Sequence, residues 1–194
     1  MNINDLHDLF FNMKMTSSIK RGKNVPPVQF VEFKKGSWTF DFNSQLYDKL
    51  FNRLFELDEL DIENDEREKE LLSIIAQMPE VFDASRELAQ MYNDEDDRSD
   101  EVNQIYEKAF ALARSYIPEN FRKGQDQIPW ACIENRPFLR LIEAYGEFKE
   151  MDEGIESAIP IYLQLLSWNP TDEQGILNRT TSVKRTASIK KDLL

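Results

Sequence analysis

The feature that most constrains this chain is a change of period at Asn43. Before it, Val28 to Phe42 reads VQFVEF–KKGS–WTFDF, with apolar and polar residues alternating. That two-residue period, with aromatic and β-branched residues, predicts a β-hairpin. Lys34-Lys35-Gly36-Ser37 supplies its turn, with Gly at a position of positive φ. After Asn43 the spacing becomes three to four. Leu46, Tyr47, Leu50, Phe51, Leu54 and Phe55 form one stripe, and Asn43 or Ser44 can cap its start. A lone hairpin is marginal in water, so this one must lie against the helices that follow.

Five further helical segments are predicted, and Pro, Gly or charge runs bound them. Glu56 to Glu70 holds nine carboxylates against Arg67 and Lys69, and reads as a solvated linker plus an acidic helix start. The next stripe, Leu71, Leu72, Ile74, Ile75 and Met78, stops near Pro79. A helix over Glu80–Tyr92 follows, with Val81, Ser85, Leu88 and Met91 or Tyr92 on one face. Asp100–Tyr116 turns Val102, Ile105, Tyr106, Ala109, Leu112 and Ala113 inward. Ile117 to Arg136 reads as a long loop. Pro137–Glu150 aligns Phe138, Leu141, Ile142, Tyr145 and Phe148, with Pro137 suited to a first helical turn. Gly154–Trp168 is the last helix. Pro160 is expected to bend or restrict it, and Pro170 blocks its continuation.

Pairs of helices about 34 residues long are the tetratricopeptide-repeat (TPR) pattern. In the last pair the small and apolar key positions fall on Ile142, Tyr145, Gly146, Ala158, Tyr162 and Leu165, closed by Pro170. Gly146 and Ala158 let two helices approach closely. An earlier pair, Val81 to Ala113, carries Leu88, Ala89 and Tyr92, then Tyr106, Lys108 and Ala109. The stretch Val81 to Ile176 resembles the TPR-like segment of the suppression-of-tumorigenicity-7-like proteins and related bacterial TPR proteins. The resemblance rests on Trp130, on Glu134-Asn135-Arg136-Pro137, and on Asn169-Pro170-Thr171-Asp172-Glu173-Gln174-Gly175. It implies a helical-repeat scaffold that binds other proteins, with no catalytic residues to carry over. The chain departs from the family after Gly175. A closing apolar helix is expected there, and a basic segment, Leu177 to Leu194, stands instead. It is a weak cap, a disordered tail, or a sign that the N-terminal hairpin and helix do the capping elsewhere.

The fold class expected is therefore mostly α, with TPR-like antiparallel helical hairpins and an N-terminal β-hairpin. Residues 1–42 form an arm with the hairpin at 28–42, residues 43–176 the helical domain, and residues 177–194 a basic, flexible tail. Within the arm, residues 1–15 form a short amphipathic helix with Leu6, Leu9, Phe10 and Met13 on one side, and Thr16 to Pro27 a loop with Lys20, Arg21 and Lys23.

Charge and composition narrow the function. A net charge of −12 repels phosphates, so no nucleic-acid partner is expected. The single cysteine, Cys132, excludes an intramolecular disulfide and fits a reducing compartment. No run approaches the roughly 18 apolar residues that span a bilayer, and the N-terminus lacks the order of a signal peptide. A cytoplasmic protein without membrane contact is expected.

Catalytic chemistry has little to stand on. The single histidine, His7, leaves a histidine triad or a zinc site unsupported. Cys132 has no evident basic neighbour except Arg136, so an ordinary partly buried thiol is expected. Asp94, Glu95, Asp96, Asp97, Asp100 and Glu101 lack the glycine and terminal glutamate of a calcium loop and read as a solvated turn. Gly22 to Pro27 is not a phosphate loop, and Arg185 to Ser188 resembles a phosphorylation site for a basic-directed kinase. Glu134-Asn135-Arg136 is either a ligand-binding corner beside Trp130 or a structural start. In the structural reading, which is favoured, Asn135 caps the helix and Arg136 pairs with Glu134 or a nearby carboxylate.

Two functions fit. One is a non-catalytic protein–protein interaction module of TPR-like type, with Tyr92, Arg140, Glu143, Glu147 and Trp168 as candidate contacts, Trp168 being a core residue in the alternative. The other is an acidic inhibitor or immunity-type protein that binds a basic protein surface with salt-sensitive association. Neither implies a metal or cofactor. The partner is a protein or peptide, a second copy of this chain included.

Overall fold

The computed structural model describes residues 28–94 and 98–179. The expected N-terminal helix, His7, the basic loop to Pro27, Glu95, Asp96, Asp97 and everything after Arg179, the Arg185–Ser188 motif included, lie outside the described residues. The described chain is mostly helical with one two-stranded antiparallel sheet. Strands β1 (Gln29–Lys34) and β2 (Ser37–Asp41) precede helices α1 (Gln45–Glu59), α2 (Asn64–Gln77), α3 (Phe82–Asn93), α4 (Ser99–Ser115), α5 (Arg136–Asp152) and α6 (Ile155–Trp168). A single 3-10 turn, Ile133–Asn135, leads into α5.

The hairpin forms where alternation predicts it. Phe30 faces Phe40 and Val31 faces Thr39 across the sheet, and Gly36 takes φ +72° in the turn. Val28, Phe30, Trp38 and Phe40 all point inward and are buried, as the two-residue period requires. Phe40 is the hub. Its ring meets Phe82 at 5.7 Å, Phe138 at 5.3 Å and Tyr116 at 6.5 Å, each edge-on. The sheet therefore docks where α3 and α5 begin and α4 ends, and edge-on geometry suits the ring quadrupoles.

The helix order also follows the pattern. Ser44 caps α1, its Oγ accepting from the Tyr47 N–H at 3.4 Å. The acidic stretch divides into the end of α1, a break at 60–63, and the first turn of α2 with Asp65 and Glu66. α2 packs on α1 and α3, α3 on α4 and α5, and α5 on α4 and α6.

Two expectations at the start of α5 are corrected, whereas α6 continues through Pro160. This proline is exposed, so the Glu156 carbonyl that loses its donor can bind water. Asn135 does not cap α5 with its side chain. It is fully buried instead, accepting from the Phe40 N–H at 3.1 Å and donating to the Trp38 and Pro129 carbonyls, each at 3.0 Å. One amide thus satisfies three backbone groups, two of them on the outer edge of β2, which would otherwise be costly to bury. Arg136 does not pair with Glu134 in the way expected. Its Nε donates to the Trp130 carbonyl at 3.1 Å, and its guanidinium lies 5.5 Å from the Trp130 ring.

The long loop 117–135 is a clamp rather than a tether. Gln127 pairs with β2, donating to the Gly36 carbonyl at 2.8 Å and accepting from the Trp38 N–H at 2.9 Å. Buried Asp126 accepts from Trp38 Nε1 at 3.1 Å and from three Arg122 nitrogens at 2.6 to 3.0 Å. The Arg122 side chain and backbone hold the Asp126 carboxyl below its ordinary pKa. The Ile128 N–H then donates to the Trp168 carbonyl at 2.7 Å, which closes the clamp on the end of α6.

Candidate protein-binding face

α3 and α5 lie side by side and direct polar side chains to one surface. On α3, the i, i+3 pair Asp83 and Arg86 meets at 3.2 Å, and Arg86 reaches Gln90 at 2.7 Å. Arg140 of α5 forms a forked pair with Asp83, at 3.0 and 2.5 Å, joining the two helices. Asp83 is buried, so this charge-assisted fork compensates its desolvation. Arg67 extends the series, binding Glu87 at 2.9 Å, Asp58 at 2.6 Å and the Leu57 carbonyl at 3.0 Å. Burial and Asp58 push the Glu87 carboxyl up, and Arg86 and Arg67 oppose that shift.

Beyond Arg140, this chain's own C-terminal turn lies over α5. Gln174 donates to Glu143 at 2.6 Å and to the Leu139 carbonyl at 3.2 Å. Burial raises the Glu143 pKa, and the Gln174 bond works against the rise. Arg179 donates to Glu147, lies 3.7 Å from Glu150, and stands over the Tyr162 ring at 6.0 Å. The Asn169–Gly175 motif builds this turn. Asn169 Oδ1 accepts from the Trp130 N–H at 3.3 Å. Asp172 caps the helical turn at 176–179, accepting from the Ile176 and Leu177 N–H groups at 2.7 and 2.9 Å. Gly175 takes φ +75°. Ile176 is buried. The chain after Gly175 therefore begins as a helical turn packed on the fold.

Of the five residues expected to contact a partner, Arg140, Glu143 and Glu147 share this face, and each is engaged within the chain. Tyr92 and Trp168 do not belong to it. Tyr92 is 0% exposed, with its hydroxyl donating to Glu68 and the Arg98 guanidinium 3.2 Å from its ring centre. Trp168 is 4% exposed and packs on Phe138 at 5.4 Å and Phe110 at 6.4 Å. Both are core residues, because an aromatic at a helix boundary stripe fits inside as well as outside.

Between the C-terminal halves of α3 and α5 lies an open groove of about 480 Å³, lined by Gln90, Asn93, Ala144, Glu147, Phe148 and Met151 among others. Met151 is 68% exposed at its edge. Gln90, Asn93 and Met151 had no distinguishing signal in the sequence, whereas the i, i+3 spacing of Asp83 and Arg86 did mark a charged ridge.

Cys132 is partly buried, and burial pushes its thiol up, away from the reactive thiolate. Among the described residues no group of three or more His, Cys, Asp or Glu side chains converges as a metal site, and no helix is long and apolar enough to cross a membrane. Comparison with models of known protein families, with curated proteins and with solved structures finds no match to this chain.

Proposed function

We propose that this chain is a non-catalytic protein–protein interaction module of TPR-like helical-repeat type, acting on a protein or peptide in the cytoplasm. The observation that carries the reading is the order of helix neighbours. α3 and α5, the first helices of two successive pairs, lie against each other, and each packs on its own second helix, α4 or α6. α2 precedes them as the second helix of an earlier pair, with α1 as its first. Nearest-neighbour packing of this kind is how repeat stacks bury their core. The close approach within the last pair supports it further. A Cβ on Gly146 would come within 2.4 Å of the Tyr162 ring, and Ala158 is fully buried beside it. Pro79 and Pro170 each follow a second helix.

The groove between α3 and α5, with an exposed methionine edge and carboxamide and carboxylate groups, suits a peptide with an apolar anchor and hydrogen-bonding flanks. The test is selection of displayed peptides on the intact chain, followed by binding to a Gln90→Lys/Met151→Lys variant. Enriched peptides should lose binding to the variant by about tenfold or more, as about 1.4 kcal/mol of contact predicts. No enrichment, or equal binding to both proteins, rejects the groove as the site.

A further inference from the structure

α1 buries one face and leaves an aromatic flank outside. Tyr47, Leu50, Leu54 and Leu57 are buried, whereas Phe51 is 36% and Phe55 63% exposed. A row of stacked rings leads out to this flank. Phe42 stacks on Tyr47 at 4.1 Å, Tyr47 on Phe51 at 5.8 Å, and Phe55 follows one turn later. Single exposed apolar residues are ordinary, but a ridge of adjoining aromatics marks a contact surface.

The chain itself carries a segment that matches this ridge. Leu6, Leu9, Phe10 and Met13 stand at helical spacing within Met1–Met15, enough for a two-turn apolar face. That segment enters the fold at the right place. Gln29 pairs with Asp41, and α1 is capped by Ser44, so the chain before Val28 joins beside the first turn of α1. Residues 16–27 extend to about 40 Å at most, and α1 is only about 22 Å long, so the ridge is within reach. Charge agrees. The cations follow Asp5 and Asp8: Lys14 closes the segment and Lys20, Arg21 and Lys23 stand in the connection 16–27, while Glu56, Glu59, Asp61 and Glu63 are exposed at and beyond the second half of α1. The last turn of α1 has no basic residue of its own, so cations from the arm favour its carbonyl end.

We propose that Met1–Met15 docks as an amphipathic helix on the Phe51–Phe55 flank of α1 in the same molecule. This inference stands apart from the peptide groove between α3 and α5. The test replaces Phe10 with the photo-crosslinker p-benzoylphenylalanine in the full-length chain and maps the products by mass spectrometry. Crosslinks within one molecule to residues 45–60 are expected. Phe51→Ser/Phe55→Ser should cut their yield about fivefold, the effect of losing about 1 kcal/mol of docking, and Leu163→Ser, at an exposed position on α6, should not. Circular dichroism checks that each variant keeps its helices. Crosslinks between molecules would assign the ridge to a second copy and overturn the proposal. So would crosslinks to other residues, an absence of crosslinks, or a yield indifferent to Phe51 and Phe55.

Discussion

The two outer helix pairs, α5–α6 and α1–α2, differ in how they are held. In α5–α6 the backbones close on each other at Gly146, and the hairpin and the loop clamp seal the near ends through Phe40, Asn135 and Ile128. In α1–α2 the leucine face of α1 is buried, but much of the remaining link is ionic. Arg53 meets Glu70 at 3.3 Å, and Arg67 bridges to Asp58 and the Leu57 carbonyl. The contrast teaches that one pair is held by close backbone approach and by polar partners distant in the chain, and the other by a leucine face and ion pairs.

Substitutions can break or sharpen this contrast. The largest effect is expected at the hub. Phe40→Ala should cost about 3–5 kcal/mol in urea unfolding, as for other buried phenylalanines. Asn135→Ala comes next, at about 2–3 kcal/mol, since it strands the Phe40 N–H and the Trp38 carbonyl inside the fold. A loss under about 1 kcal/mol there would mean that water replaces the amide. Gly146→Ala should cost about 1–2 kcal/mol, the overpacking against Tyr162 exceeding the gain in helix propensity.

The clamp should also be acid-sensitive. Asp126 has a folded pKa below its unfolded one, so its stabilisation is complete above the unfolded value and is lost as pH falls through the folded value. The gap in melting temperature between the native chain and Asp126→Asn should therefore narrow as pH drops through the carboxylate range. A gap constant with pH would show that the carboxylate charge contributes nothing. The smallest effect is expected at the other end. Arg53→Ala, in a half-exposed pair, should cost less than about 1 kcal/mol and less still in high salt.

Much of the architecture could be read from local pattern. The period change at Asn43, the turn at Gly36 and the stops at Pro79 and Pro170 are short-range signals, and the helices begin and end within a few residues of them. What could not be read depends on residues distant in the chain. Asn135 looks like a cap because asparagine before a Pro-led helix usually is one. Only the arrival of β2 gives its amide three backbone partners. Tyr92 and Trp168 fit either face of their helices until Glu68, Arg98, Phe110 and Phe138 enclose them. Arg140, Glu143 and Glu147 were identifiable as a polar stripe. Their engagement by Asp83, Gln174 and Arg179 was not, because sequence separation conceals it.

The clamp on β2 has a further consequence, for the order in which the chain acquires structure. The Phe40 N–H and Trp38 carbonyl wait for an amide 95 and 97 residues downstream, and the Trp38 indole waits for a carboxylate 88 residues away. During synthesis the outer edge of β2 leaves the ribosome without these partners, which arrive only when loop 117–135 emerges. Pairing over such separations is slow, because the connecting loop must be ordered before any contact rewards it. The hairpin is made before every described helix yet is among the last elements to settle, and in that interval its unpaired edge is exposed to aggregation.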